Sequence, residues 1–202
     1  MIPANRTVLI LLAAGRSRRF GDSDKLEQEF LHQPLAFHVV TALEDMPFLA
    51  RFAITSGTKL DFARRGYTVI ANESVEGDLS SSLRLGVAAA RDLDADAVVI
   101  ALADMPRVTA GHLYNLLDAA DGPNAVVASS DGVQPRPPAV FGADQFSALL
   151  ALEGDSGARD MVLGGKHVVA PANELLDVDT PEDLDYLRAL VRPIRAVERR
   201  SD

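Results

Sequence analysis

At 202 residues with a net charge of −9, from 29 acidic and 20 basic side chains, the chain is long enough for one sizeable core, and its sign argues against a general nucleic-acid or anionic-membrane surface. The absence of cysteine excludes a disulfide framework, a thiolate metal site and a thiol nucleophile. Each apolar run is under about ten residues, against roughly 20 for a membrane-spanning helix, and "MIPANRTV" lacks a signal peptide's apolar core. The expectation is a cytoplasmic protein, no nucleic-acid or membrane partner, one domain over 1–191 and a C-terminal tail over 192–202.

The first predicted strand is "TVLILLA", Thr7 to Ala13, followed by "RFAITS" at 51–56 and "YTVIA" at 67–71. After Gly77, the residues Leu79, Leu83, Val87 and Ala90 recur at helical spacing and predict one apolar face. A further strand, "DAVVIALA" at 96–103, leads to a helix after Thr109, a capping residue, with Leu113, Leu116, Leu117 and Ala120 on one side. "NAVVAS" at 124–129 and the weaker "PAVFG" and "HVVAP" complete the strands. "DTPEDLDYLRAL" starts a last helix, with Thr180 as cap, Pro181 at the first helical position, and Leu184, Leu187 and Leu190 as its stripe. Continuous rather than alternating apolar runs suit strands buried on both faces, and the order predicts an α/β doubly wound sheet with right-handed crossovers.

In such a sheet, ligands bind beyond the carboxyl ends of the strands. The first of these ends is Ala13-Ala14-Gly15, and Arg16, Arg18, Arg19 and Lys25 follow it, a local basic loop in an acidic chain. Small residues let a ligand approach the main chain, and arginine and lysine supply charge for an anion. The loop is neither G-x-G-x-x-G nor G-x-x-x-x-G-K-[ST], so taken by itself a turn with solvated arginines explains it equally well. Asp104, in "ALADMP", ends an otherwise apolar strand at the same edge. It is either a turn residue or a hard oxygen ligand suited to Mg²⁺, which takes one or two carboxylates and completes its shell with water and phosphate oxygens.

Five motifs, "LLAAGRSRRFG" with Lys25, "GDLSSSLRLG", "LADMP", "GDSGAR" and "DVDTPEDL", occur in an order that resembles the MobA-like nucleotidyltransferases over roughly Val8 to Leu190. Within that family the chain looks most similar to the molybdenum cofactor cytidylyltransferases. The resemblance implies a Rossmann-like, mostly parallel sheet with helices on both faces, of the nucleotide-diphospho-sugar transferase type. It implies transfer of CMP from CTP to the phosphate of a pterin cofactor, with Mg²⁺ as cofactor and a molybdoenzyme as client. Cytidine is favoured because the loop reads "LAAG", where the guanylyl branch more often reads "LAGG".

Carried over by motif, Leu12, Ala13, Ala14 and Gly15 match the turn that touches the nucleotide, and Arg16, Ser17 and Arg19 its phosphate-wrapping continuation. Lys25 matches the lysine on the triphosphate, Asp104 the metal ligand, and Asp179 a second acidic residue at the metal. Lys25, Arg19 and Asp104 are thus the catalytic candidates. Ser81 and Ser82, with Asn72 and Thr55 or Ser56, match contacts to the nucleoside, while Asp155 and Arg159 border the acceptor side. "DGVQPRPPAVF", 131–141, departs from the family's glycine-rich turn: its three prolines predict a stiff backbone with few donors where the acceptor would lie. Two alternatives keep the fold: a different phosphorylated acceptor, or a carrier that holds a nucleotide-bearing cofactor without turnover. The four histidines are scattered and show no zinc-ligand spacing.

Overall fold

The first apolar run becomes β1, Thr7–Ala13, in which all seven residues are buried, as a strand covered on both faces requires. The structure is a computed structural model and describes residues 1–15, 20, 24–74, 78–154 and 157–191. β4 (Ala50–Thr55) and β6 (Ala97–Leu102) flank β1 in parallel, and β5 (Thr68–Ala71) pairs outside β4. The two-residue strands β2 (Glu29–Phe30) and β3 (Gln33–Pro34) form a separate antiparallel pair.

Beyond β6 the sheet changes direction. β8 (Pro135–Gly142) lies antiparallel between β6 and β7 (Val126–Ser130), and β9 (Lys166–Val169) runs parallel to β7, giving the order β5-β4-β1-β6-β8-β7-β9. The four residues between β7 and β8 are too few for a parallel crossover, which needs a dozen or more. They are held as a tight turn by Asp131, whose Oδ1 accepts from the N–H groups of Val133 and Gln134, with Gly132 at φ 90° in the left-handed region.

Alternate residues of β1 and β6 sort the core into two layers. Leu9, Leu11, Val99 and Ala101 face α1 (Ala36–Ala42) and α3 (Ala110–Ala119), whereas Val8, Ile10, Val98 and Ile100 face α2 (Leu79–Arg91) and α4 (Phe146–Leu150). α2 comes very close to β1 because Gly86 faces it: a Cβ there would stand 2.6 Å from Ile10 Cγ2. α5 (Arg159–Leu163) covers β7 and β8 on the α2 side. α6 (Pro181–Val191) buries Leu184 and Leu187 against Phe30, Leu35 and Val178, a small third cluster.

Two expected stripe residues are corrected. Leu79 and Leu190 are each 39 % exposed. Both stand at the outer ends of their helices, where the stripe runs past the element it covers. α1 was not expected: its N-cap, Leu35, offers no side-chain cap, and its signal lay in Ala36, Val39, Val40 and Leu43, which recur at helical spacing and are buried. The tail over 192–202 lies outside the described residues. Among the described residues, no helix is long and apolar enough to cross a membrane.

Candidate active site

Lys25 is aimed inward by a short 3-10 turn, Lys25–Glu27, which Asp24 caps by accepting from the Leu26 N–H at 2.9 Å. Its ammonium donates to Asp104 Oδ2 at 2.6 Å and to Asp179 Oδ1 at 2.8 Å, and only 9 % of the side chain is exposed. Asp104 lies two residues past β6. Asp179 is brought to it by main chain, because the Val178 N–H donates to the Asp104 carbonyl at 3.0 Å. The start of α6 then fixes Asp179: Asp183 Oδ2 accepts from the N–H groups of Asp179 and Thr180, and Thr180 Oγ1 accepts from the Asp183 N–H. Thr180 therefore caps the helix and Asp179 stands just outside its N-terminus.

Burial alone would depress the Lys25 ammonium, but the charges and hydrogen bonds of Asp104 and Asp179 together hold its pKa above the ordinary lysine value. Burial pushes the Asp104 carboxyl up against the opposing pull of Lys25, and the nearby carboxylates Asp177 and Asp179 push it further. Asp104 Oδ1 is buried and has no hydrogen-bond partner among the described residues. A buried oxygen left unpaired costs on the order of 1–3 kcal/mol, a cost that a cation or donor from outside would relieve. A hard divalent cation such as Mg²⁺ fits the donor set: an oxygen of Asp104, with Asp179 next to it, and the remaining positions left for phosphate and water.

The end of β1 abuts this cluster. Leu12, Ala13 and Ala14 are buried and Gly15 is exposed, and a Cβ added at Gly15 would meet Lys25 Cε at 3.9 Å. Main chain and lysine thus flank one space. Arg16, Ser17, Arg19 and Asp155 lie outside the described residues.

A second polar group forms at the ends of β4 and β5. The Asn72 N–H donates to the Thr55 carbonyl at 2.7 Å, and Asn72 Nδ2 donates to Ser81 Oγ at 2.9 Å and Ser82 Oγ at 2.8 Å. Asp78 caps α2, its Oδ1 accepting from the Ser81 N–H at 2.7 Å, while Ser81 Oγ donates to the Asp78 carbonyl. Asn72, Ser81 and Ser82 are buried, whereas Ser56 faces solvent.

Arg159 is placed elsewhere, on the wall of a cavity of about 210 Å³ between the sheet and α5 that also takes in Leu12, Leu102, Pro135 and Pro137. Arg136, on the same wall, reaches Asp131 at 3.2 Å and Asp177 at 3.5 Å. Neither Arg136 nor its pairing with Asp177 was singled out by motif. The available signal was an arginine set between prolines in "QPRPP", a position where proline removes main-chain donors and leaves the side chain as the polar group.

A mostly parallel sheet with helices on both faces, gathering a buried lysine and carboxylates at the carboxyl edge of its central strands, defines a Rossmann-like α/β nucleotidyltransferase fold of the nucleotide-diphospho-sugar transferase type. Residues 9–170 match the MobA-like NTP transferase domain, and the chain belongs to that family. It is 33% identical over 193 residues to a molybdenum cofactor guanylyltransferase of Cereibacter sphaeroides, covering 91% of this chain and 96% of that one. To the purine catabolism protein PucB of Bacillus subtilis (strain 168) it is 30% identical over 197 residues, 89% and 94% of the two chains. Among solved structures, the homologue of Mycobacterium tuberculosis Rv0371c from Mycobacterium sp. strain JC1 superposes with a TM-score of 0.76 at 26% identity, over 92% of this chain and 96% of that chain.

Proposed function

We propose that the chain transfers CMP from CTP to the phosphate of a molybdopterin-type cofactor in the cytoplasm, with Mg²⁺ as cofactor, releasing pyrophosphate and supplying a molybdoenzyme client. The observation that carries the reading is Lys25, held between Asp104 and Asp179 beside the Gly15 main chain. In the reaction an oxygen of the acceptor phosphate bonds to the α-phosphorus of the nucleotide, and the bond from that phosphorus to the bridging oxygen breaks. A phosphate monoester, with a second pKa near about 6, is largely ionised at neutral pH and needs no general base.

What the protein supplies is alignment and charge. Lys25 faces the triphosphate and neutralises the departing pyrophosphate, joined by Arg19. The main chain from Ala13 to Gly15 lies against the phosphates, Arg16 and Ser17 are assigned to the same contact by motif, and Leu12 lies against the nucleoside. Asn72, Ser81 and Ser82 form the wall of the nucleoside site, with Ser56 at its solvent side, and Asp155 and Arg159 border the acceptor. Asp104 and Asp179 would hold Mg²⁺, which when bound stabilises charge on the phosphate oxygens.

A second reading keeps this chemistry and exchanges the base for guanine, favoured by the relative named a guanylyltransferase. The deciding experiment is pyrophosphate release in the presence of molybdopterin and Mg²⁺ with CTP or GTP. Release with CTP supports the cytidylyl reading, and release with GTP alone transfers the protein to the guanylyl branch. Binding of either nucleotide with no release would leave a carrier and overturn turnover.

A further inference from the structure

We propose that His112 and Ser129 are positioning residues, whose hydrogen bonds fix the Pro137–Pro138 segment of β8 and with it the place of Arg136 beside Asp177. That Arg136 matters to turnover rests on the transfer reading above; that His112 and Ser129 place it does not.

The two strands are out of step at one point. Ala128 of β7 pairs with Ala139, and the next residue, Ser129, pairs with Arg136, so one step along β7 answers to three along β8 and Pro137 and Pro138 are the surplus. Proline has no N–H, so neither residue can donate to a neighbouring strand. Register matters here, because side chains alternate along a strand. A slip of one residue would turn Arg136 to the other face of the sheet, away from Asp131 and Asp177.

Side chains supply what the main chain lacks. Ser129 Oγ donates to the Pro138 carbonyl at 2.8 Å, and His112 Nε2 lies 2.7 Å from the same hydroxyl oxygen. A hydroxyl carries one proton, and that of Ser129 is directed at Pro138, so His112 donates from Nε2–H. Both residues are buried. Burial holds the His112 pKa below its ordinary value, against the opposing pull of Glu174, and so favours the neutral ring that this arrangement uses. The ring is delivered by the first turn of α3, where the His112 N–H donates to Thr109 Oγ1 and the Thr109 hydroxyl donates to Glu174 Oε1 at 2.6 Å. A histidine and a serine that the transfer itself does not use thereby tie the start of α3 through β7 to the surplus residues of β8.

Arg136 carries the effect to the charged cluster. Its guanidinium reaches Asp177 at 3.5 Å, and Asp177 is one of the carboxylates that push the Asp104 pKa up. Moving the arginine therefore changes the charge that Asp104 meets.

The test is amide hydrogen exchange followed by NMR on the full chain, for wild type, His112→Leu, His112→Gln and Ser129→Ala. Leucine occupies the ring's space without a donor, whereas glutamine returns an N–H group. His112→Leu and Ser129→Ala should each speed exchange of the Arg136 and Ala139 N–H groups about tenfold relative to the amides of β1, the scale of one buried hydrogen bond. The double variant should match the single ones, since both break the same chain, and His112→Gln should restore the wild-type rates. Acceleration shared equally by β1 and β8 would mean that the pair only fills the core. That result, no acceleration at Arg136, or glutamine no better than leucine would each overturn the proposal.

Pyrophosphate release then joins the pair to the reaction. His112→Leu should lower it severalfold in the wild-type background and leave it unchanged in an Arg136→Gln background. A loss of the same size in both backgrounds, or no loss in either, would overturn the positioning role. Wild-type protein that shows the exchange pattern and releases no pyrophosphate discards transfer and keeps the placement of Arg136, whereas release without the pattern discards the placement alone.

Discussion

The Asn72 cluster and the Lys25 cluster stand at the same edge of the same sheet and differ in how far their polar atoms are satisfied. Asn72 Nδ2 donates to two serine hydroxyls, its Oδ1 accepts from the Ser74 N–H, and Asp78 closes the first turn of α2. The group is closed upon itself, so its contribution to a ligand is shape. At the other cluster, one ammonium serves two carboxylates, Asp177 adds a third charge, and Asp104 Oδ1 has no partner among the described residues. Closed polar networks rigidify a fold, and a network with a missing partner is high in energy until something supplies it. On the proposed reading, the difference separates residues that would frame a site from residues that would act in it.

The largest effect should come from breaking the open cluster. Asp104→Asn is expected to lower kcat by about 100-fold or more, the scale of one lost electrostatic contact to a transition state. A magnesium titration of pyrophosphate release should show a raised half-saturation point, and unchanged turnover with unchanged magnesium dependence would remove Asp104 from the metal. Lys25→Gln should also reduce turnover, but with an opposite effect on metal binding in nucleotide-free protein. Lys25 Nζ lies within hydrogen-bond distance of both proposed ligands, so its charge opposes a second cation there. Mn²⁺ binding followed by electron paramagnetic resonance should tighten by about tenfold, a repulsion of roughly 1.4 kcal/mol. Weaker binding would mean that the lysine positions the carboxylates rather than competing for them.

The closed cluster should respond in stability first. Asn72→Ala removes the donor to two buried hydroxyls and the acceptor for Ser74, and is expected to cost about 1–3 kcal/mol, read as a lower urea midpoint at unchanged slope. Its kinetic effect should fall on KM for the nucleotide. A kcat loss as large as that of Asp104→Asn would contradict the division between the clusters.

How much of this was legible in the sequence follows from the range of the forces involved. β1 and β6 could be read directly, since covering both faces demands continuous apolar runs. The helix starts at Thr109 and Thr180 could be read from residues within one turn of each other, whereas the cap at Asp78 was missed. The reversal at β8 could not, because hydrogen-bonding direction leaves no trace in composition, and only the shortness of the link after β7 enforces it. Lys25, Asp104 and Asp179 meet across 79 and 154 residues of chain, so no spacing rule joins them; ordered family motifs nominated each separately. Arg136 had no motif, and its contacts with Asp131 and Asp177 depend on the β7–β8 turn and the segment before α6 arriving together.

The smallest effect concerns pH and the frame alone. The Ser81 hydroxyl beside it, and then the Ser81 N–H that donates to its Oδ1, hold the Asp78 carboxyl below the ordinary aspartate range. A carboxylate with a lowered folded pKa contributes stability that is fully present above its unfolded value, about 3.9, and is lost as pH falls through the folded value, because the unfolded chain takes up the proton first. Asp78→Asn keeps a capping oxygen but removes the titration. Urea midpoints of wild type and Asp78→Asn should therefore differ by a constant amount above about pH 5 and converge as the pH is lowered below about 4. A gap that stays constant through that window would show that the cap acts through geometry alone, and the charge at the start of α2 would then play no part in holding the frame against the Lys25 cluster.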